Sequence, residues 1–314
     1  MAAYKERVSE VSGLPINATT RYCAVYGQPI KHSASPAMQN AGIAALGLNW
    51  RYLAFEVNPT HLREAIAGAK AMKFLGLNLT VPHKLLAVEL VDALDVSARA
   101  WGAVNTIRFE AKDEQGEWQP LHSFRDSVAG DIRSHGFNTD ADAITQSLRE
   151  DLEISLPGAR VLLLGAGGAG RVAALKLASE SVAELFLVNR TVSKAEALAE
   201  EIRQRFPRVK VSVGYTNTVL DLILNATSLG LKLQDELPFD PKSLSLNQSR
   251  NVYDMVYRPA ETPFLKAAAQ AGCRVTNGLG MLLYQGARAL ELWSGQKPPI
   301  TVMRTALEKN VYGQ

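Results

Sequence analysis

The sequence predicts an α/β fold, and three observations carry that prediction. Apolar runs of strand length alternate with helical patterns along most of the chain. One such pair encloses a glycine-rich turn, Gly165-Ala166-Gly167-Gly168-Ala169-Gly170, between the run Val161-Leu162-Leu163-Leu164 and a helical pattern through Val172, Leu175 and Ala178. At 314 residues and 47% hydrophobic content, the chain is long enough for two domains with buried cores.

Taken in order, a first strand is expected at 21–26, closed by Gly27-Gln28-Pro29. Ser35-Pro36 has the form of an N-cap followed by proline at the first helical position, so a helix should run over 35–46. A strand at 53–57, a helix over 58–71 and a strand at 74–79 follow, the pattern of βαβ units on a parallel sheet. A further strand is placed at 103–109. The polar stretch 110–135, with a turn at Asp113-Glu114-Gln115-Gly116-Glu117, reads as an irregular insertion. A helix over 141–152 leads into the glycine unit, which ends with a second apolar run, Leu185-Phe186-Leu187-Val188. Beyond it come a helix at 193–205, strands at 209–213, 222–224 and 252–256, a helix at 262–271 and a strand at 274–276. Helices at 281–293 and 299–310 end the chain.

Composition narrows the function classes. The formal charge is only +3 and no run of five like charges occurs, so neither nucleic acid nor an anionic membrane is an expected partner. No apolar stretch approaches the ~18 residues of a membrane span, and 1–20 carries no signal-peptide core, so the expected compartment is the cytoplasm. Cys23 and Cys273 make no metal-ligand spacing and read as buried free thiols. His32, His61, His83, His122 and His135 show no such spacing either, and no metal is expected.

The glycine spacing G-x-G-x-x-G has a physical purpose. The first glycine permits a tight turn, the second lets backbone approach a pyrophosphate, and the third lets helix and strand pack closely. Free N–H groups and the helix macrodipole then favour phosphate at the helix N-terminus. Gly165 to Gly170 are therefore dinucleotide-binding candidates. Where a carboxylate would grip the ribose of NAD, this chain carries Asn189-Arg190-Thr191, with Lys194 beyond. Arg190 can hold a 2′-phosphate that a carboxylate would repel, so NADP is the expected cofactor. The other reading of Arg190 and Lys194 is a pair of solvated loop charges.

Substrate and proton donor must come from elsewhere. Polar residues gather at the expected strand ends: Ser33, Ser35, Asn78, Thr80, Lys84, Asn105, Asp140, Tyr257 and Gln285. Lys84 and Asp140 form the best acid–base pair on offer, because a carbonyl that accepts hydride needs a proton or a cation beside it. Spacing alone also allows Lys84 as a solvated lysine and Asp140 as the N-cap of the helix that follows. Ser33 and Ser35 fit a substrate carboxylate, or simply a helix cap.

Motif order narrows this. Gly27-Gln28-Pro29-Ile30 with His32-Ser33-x-Ser35-Pro36, Asn78-x-Thr80-x-Pro82-x-Lys84, Gly102-Ala103-Val104-Asn105-Thr106 and Gly136-x-Asn138-Thr139-Asp140 resemble the shikimate dehydrogenase family. So do the glycine turn, Asn189-Arg190-Thr191, Asn225-Ala226-Thr227-Ser228-x-Gly230, Asp254-x-x-Tyr257 with Thr262-Pro263, and Asn277-Gly278-x-Gly280-Met281 through Gln285-Gly286-Ala287. The resemblance implies reversible, NADP-dependent reduction of 3-dehydroshikimate to shikimate, a step of aromatic amino-acid biosynthesis. It implies Lys84 and Asp140 as the catalytic pair and Ser33 and Ser35 on the substrate carboxylate. Asn78, Thr80, Asn105, Tyr257 and Gln285 are implied on ring hydroxyls or carboxylate. Thr227, Gly278 and Met281 join the glycine turn, Asn189, Arg190, Thr191 and Lys194 as cofactor residues.

The implied architecture is an α/β substrate domain over 1–139 and 279–314 and a Rossmann domain over 140–278. The last helices return to the first domain, and the active site lies in the cleft. The expected assembly is a monomer or homodimer. The sequence differs from the family pattern at Gln39, where histidine is usual, at Leu85, where glutamate is common, and at Ala141 and Ala143, where glycine is common. Two other readings stand beside the first: a quinate/shikimate dehydrogenase paralogue and a non-catalytic NADP-binding sensor.

Overall fold

A computed structural model of the chain describes residues 15–124, 128 and 130–313. The first fourteen residues of the polar leader lie outside these. Contacts divide the described chain into two units: residues up to Thr139 together with Gly286 onward, and Asp140–Gln285.

In the first unit the order is β1 (Arg21–Gly27), α1 (Ser35–Ala45), β2 (Trp50–Glu56), α2 (Leu62–Ala71), β3 (Gly76–Leu79), α3 (His83–Leu86), β4 (Ala93–Leu94), α4 (Val96–Trp101), β5 (Thr106–Lys112), β6 (Trp118–Pro120) and β7 (Ile132–Phe137). Strand order is β2-β1-β3-β5-β7-β4, with β6 on β5. The β2-β1-β3 half is parallel, as the βαβ pattern predicts. Beyond β3 the sheet changes direction: β5 is antiparallel to β3, and β7 is antiparallel to β5. The sheet is thus mixed.

The expected insertion at 110–135 is not irregular throughout. It holds the end of β5, the turn at 113–117, β6 and the start of β7. Strand β7 was hidden because its sequence, IRSHGF, puts Arg133 and His135 where alternation would place apolar residues. Both meet the buried carboxylate of Glu110 across the ladder, at 2.7 Å from Arg133 Nε and 3.0 Å from His135 Nδ1.

The second unit runs α5 (Asp140–Leu152), β8 (Arg160–Leu164), α6 (Gly168–Ser179), β9 (Glu184–Val188), α7 (Val192–Arg205), β10 (Lys210–Val213), β11 (Leu220–Asn225), β12 (Ser249–Asp254), α8 (Pro263–Gln270) and β13 (Arg274–Asn277). All its strand pairs are parallel, in the order β10-β9-β8-β11-β12-β13. This is the doubly wound order whose direction reverses between β8 and β11. The central strand β8 reads as a continuous apolar run because both its faces are covered. Leu162, Leu164, Ile223, Val252 and Phe264 form one buried cluster. Helix α8 starts from an N-cap, Thr262, whose hydroxyl accepts from Leu265 N at 3.2 Å, with Pro263 just inside.

Helix α9 (Leu279–Ser294) and α10 (Ile300–Tyr312) close the chain. From Gly286 onward they belong to the first unit, so the unit boundary falls inside α9, whereas the sequence puts that junction at 278–279. Buried Trp293, near the end of α9, donates from Nε1 to Ile107 O at 2.9 Å and locks the helix to β5. Both cysteines are buried and free. Among the described residues no helix is long and apolar enough to cross a membrane.

Candidate functional site

In the first unit the candidates follow the C-terminal ends of β1 and β3, where open α/β sheets place their ligands. Ser33 follows β1 in a turn, its N–H donating to Ile30 O at 2.9 Å. The helix after it starts at Ser35 itself, with Ala34 at the N-cap position and no side-chain cap. That corrects the N-cap expected for Ser35.

Asn78 ends a fully buried strand, and its amide is held from both sides. Oδ1 accepts from the Tyr52 hydroxyl at 2.7 Å, while Nδ2 donates to Thr106 Oγ1 at 3.0 Å and Asn105 O at 3.3 Å. The Asn105 amide in turn donates to Thr139 Oγ1 at 2.9 Å and accepts from Thr139 N at 2.8 Å. The structure thereby joins Tyr52, Asn78 and Asn105 in one buried network. Sequence reasoning missed Tyr52, because a tyrosine in an apolar strand reads as core. Burial raises its phenol well above the ordinary value. It is therefore a neutral hydroxyl at any working pH.

Thr80 follows β3, its N–H donating to Tyr26 O at 2.9 Å. Lys84 lies on the single turn of α3 and is half-buried; its carbonyl accepts from Val104 N at 2.9 Å. Asp140 is buried and is the first residue of α5, not the cap before it. Tyr257 is half-buried just beyond β12, and burial raises its phenol pKa. Gln285, on α9, is half-buried with Nε2 donating to Leu282 O at 2.8 Å.

In the second unit the glycine turn sits where predicted, between β8 and α6 at the reversal point. Gly165 has φ +103°, a conformation costly for any residue with a Cβ. A Cβ on Gly170 would overlap the Gly165 carbonyl, so the third glycine is the close-packing one. Ala166 N donates to Asn189 Oδ1 at 2.9 Å, and Asn189 Nδ2 donates to Thr191 O at 2.8 Å. Asn189 thus ties the loop after β9 to the glycine turn. Arg190, Thr191 and Lys194 are exposed beside it.

The loops after β11 and β12 are organised by a buried carboxyl, Asp254, which accepts from Asn225 Nδ2 at 2.9 Å, Thr262 Oγ1 at 2.6 Å and Val256 N at 3.0 Å. Asn225 also receives Thr227 N at 3.0 Å and Thr227 Oγ1 at 2.8 Å. Gly278 N donates to Val256 O at 3.4 Å, and half-buried Met281 follows in the first turn of α9.

These residues fit a dinucleotide. Gly167, Gly168 and Ala169 are exposed at the start of the twelve-residue helix α6, and a Cβ on either glycine would meet nothing within 4 Å. A pyrophosphate there would meet unpaired N–H groups and the positive end of the helix dipole.

Comparison with known proteins extends this. A family model described as shikimate dehydrogenase substrate binding domain matches residues 25–107. One for shikimate / quinate 5-dehydrogenase matches 147–229, and one for the shikimate 5'-dehydrogenase C-terminal domain matches 278–308. Shikimate dehydrogenase (NADP(+)) of Methanopyrus kandleri is 38% identical over 299 residues, covering 93% of this chain and 96% of that protein. A solved shikimate dehydrogenase in complex with NADP+ aligns with TM-score 0.80 and 35% identity, covering 95% of this chain and 98% of that one. The Thermus thermophilus enzyme in complex with NADP(H) and shikimate aligns with TM-score 0.77 and 33% identity, covering 92% and 99%.

Proposed function

The chain belongs to the shikimate dehydrogenase family, and from that premise we propose that it reversibly reduces 3-dehydroshikimate to shikimate with NADP. The observation that carries this is the pairing of two furnished strand edges. One, in the first unit, presents hydroxyls and amides suited to a polyhydroxylated carboxylate. The other, in the second, presents a glycine turn suited to a pyrophosphate, with Arg190 beside it for a 2′-phosphate.

We assign substrate binding to the first unit and cofactor binding to the second. Bound NADPH supplies the hydride. Lys84 donates its ammonium proton to the carbonyl oxygen that gains charge, and its own charge stabilises that oxygen beforehand. Asp140 holds the ammonium in place and takes part in its reprotonation. Ser33 and Ser35 bind the substrate carboxylate by hydroxyl donation. Asn78, Thr80, Asn105, Tyr257 and Gln285 meet the ring hydroxyls or the carboxylate. Gly165, Ala166, Gly167, Gly168, Ala169 and Gly170 hold the pyrophosphate. Asn189, Arg190, Thr191 and Lys194 hold the adenosine ribose and its phosphate. Thr227, Gly278 and Met281 line the nicotinamide end. The protein works in the cytoplasm on small molecules, as a monomer or homodimer.

Steady-state oxidation of shikimate and of quinate, each with NADP and with NAD, tests the reading. The expected result is that shikimate with NADP has the highest kcat/KM of the four combinations. Equal or better turnover of quinate with NAD would overturn it in favour of a quinate-preferring enzyme. No turnover of either would leave a dinucleotide-binding protein without this activity.

A further inference from the structure

Tyr52 belongs to none of the motifs that mark the family resemblance, yet its hydroxyl reaches into one of them. It lies on β2, 1% exposed, with its ring 6.0 Å from that of Trp293. The hydroxyl donates to Asn78 Oδ1, near the end of β3, at 2.7 Å. The groups beyond it are bonded in turn. Asn78 Nδ2 is spent on Thr106 and Asn105, and the Asn105 amide is spent on Thr139.

An asparagine amide has two chemically different ends that a rotation about its last bond exchanges. Here the Asn105 carbonyl and the Thr106 hydroxyl claim the NH2 end, and the Tyr52 proton claims the oxygen. The second lone pair of Asn78 Oδ1 is then left in a known place for a hydroxyl donor.

We propose that Tyr52 is a positioning residue for the substrate: its hydroxyl holds the Asn78 amide oxygen in the orientation that receives a ring hydroxyl of a polyhydroxylated acid. This rests on the shikimate reading above. Phenylalanine at 52 would keep the ring packing against Trp293 and lose only the proton that holds Asn78 Oδ1. The amide would then keep only the bonds on its NH2 end, and part of the binding energy would go into fixing its oxygen again.

The test is Tyr52→Phe in the full-length protein, read by thermal melting, by kcat and KM for shikimate and NADP, and by shikimate affinity without cofactor. The expected result is a rise of about tenfold in KM and Kd for shikimate, the scale of one well-placed hydrogen bond, with KM for NADP unchanged. Because Tyr52 acts through Asn78, adding Tyr52→Phe to Asn78→Ala should cost less than about twofold further in shikimate affinity. A lowered melting temperature with unaltered shikimate KM would show a merely structural tyrosine and overturn the proposal. Full additivity of the two substitutions would overturn it as well.

If Tyr52→Phe does not fold, fluorotyrosine at position 52 keeps the hydroxyl, and its fluorine NMR signal must move when shikimate alone is added. An unmoved signal at saturation overturns the proposal. Failure of the underlying reading is seen separately, as wild-type protein that neither binds nor oxidises shikimate.

Discussion

Glu110 in the first unit and Asp254 in the second are both fully buried, but the two units hold their carboxyls in opposite ways. Glu110 faces two guanidinium groups and an imidazole: Arg108 Nε at 2.8 Å, Arg133 Nε at 2.7 Å and His135 Nδ1 at 3.0 Å. Burial opposes its charge, but the bonds from His135, Arg108 and Arg133 outweigh that and bring its pKa down to about 2. Asp254 is bonded to neutral donors on Asn225, Thr262 and Val256. There burial dominates and the pKa is raised.

The difference follows from what each carboxyl does. Glu110 neutralises charge between antiparallel strands, where arginines on β5 and β7 would otherwise face one another. Asp254 gathers donors from the loops after β11 and β12, and for that task an acceptor is enough. A buried charge without a cation is costly, so at the second site burial outweighs the neutral donors and raises the Asp254 pKa.

The largest effect that would separate the two units is catalytic. Lys84→Ala should lower kcat by about 10²–10⁴-fold, the range for a positioned acid–base group, with little change in NADP affinity measured by fluorescence titration. Near-normal turnover would show that another residue carries the proton.

Next in size is stability. Glu110→Gln leaves cations without their counter-charge and should cost about 3 kcal/mol in urea unfolding. The isosteric Asp254→Asn should cost clearly less, because Asp254 is bonded to neutral donors and its replacement leaves no cation uncompensated. Equal losses would erase the distinction drawn between the two sites.

A smaller effect belongs to the cofactor edge. Arg190→Ala should raise KM for NADP about tenfold, as loss of a charge-assisted bond does, and leave KM for NAD nearly unchanged. Parallel rises for both cofactors would remove the 2′-phosphate assignment.

The smallest effect is the pH dependence. Because Glu110 has a folded pKa below its unfolded value, its contribution is complete above the ordinary carboxylate range and is lost as pH falls toward about 2. Between pH 5 and 4 this amounts to less than about 1 kcal/mol. Melting curves should therefore decline more steeply with acid in wild type than in Glu110→Gln. Asp254 has the opposite sign: its raised pKa favours the folded state at low pH, and that contribution fades as pH rises through the folded value.

Much of the second unit was legible because its signals are local. A run of leucines, a glycine turn and a helical stripe lie adjacent in sequence, and the parallel sheet buries both faces, so apolar runs mark its strands. The first unit was less legible where polar groups satisfy one another at a distance. Strand β7 reads as loop until Glu110, twenty-five residues before His135, is seen to receive its charges. Ser35 reads as a helix cap until the helix is seen to begin at Ser35 itself, with Ala34 at the cap position.

The sequence by itself determined the α/β class, the glycine turn and its place before a helix, and the polar residues at strand ends, since each depends on chemistry within a few residues. Only the tertiary structure decided which of those polar groups share hydrogen bonds, how the first sheet changes direction after β3, and that Tyr52 donates to Asn78. Hydrogen bonds and ion pairs between distant strands carry no periodicity of their own, so they become visible only when the chain has brought their partners together.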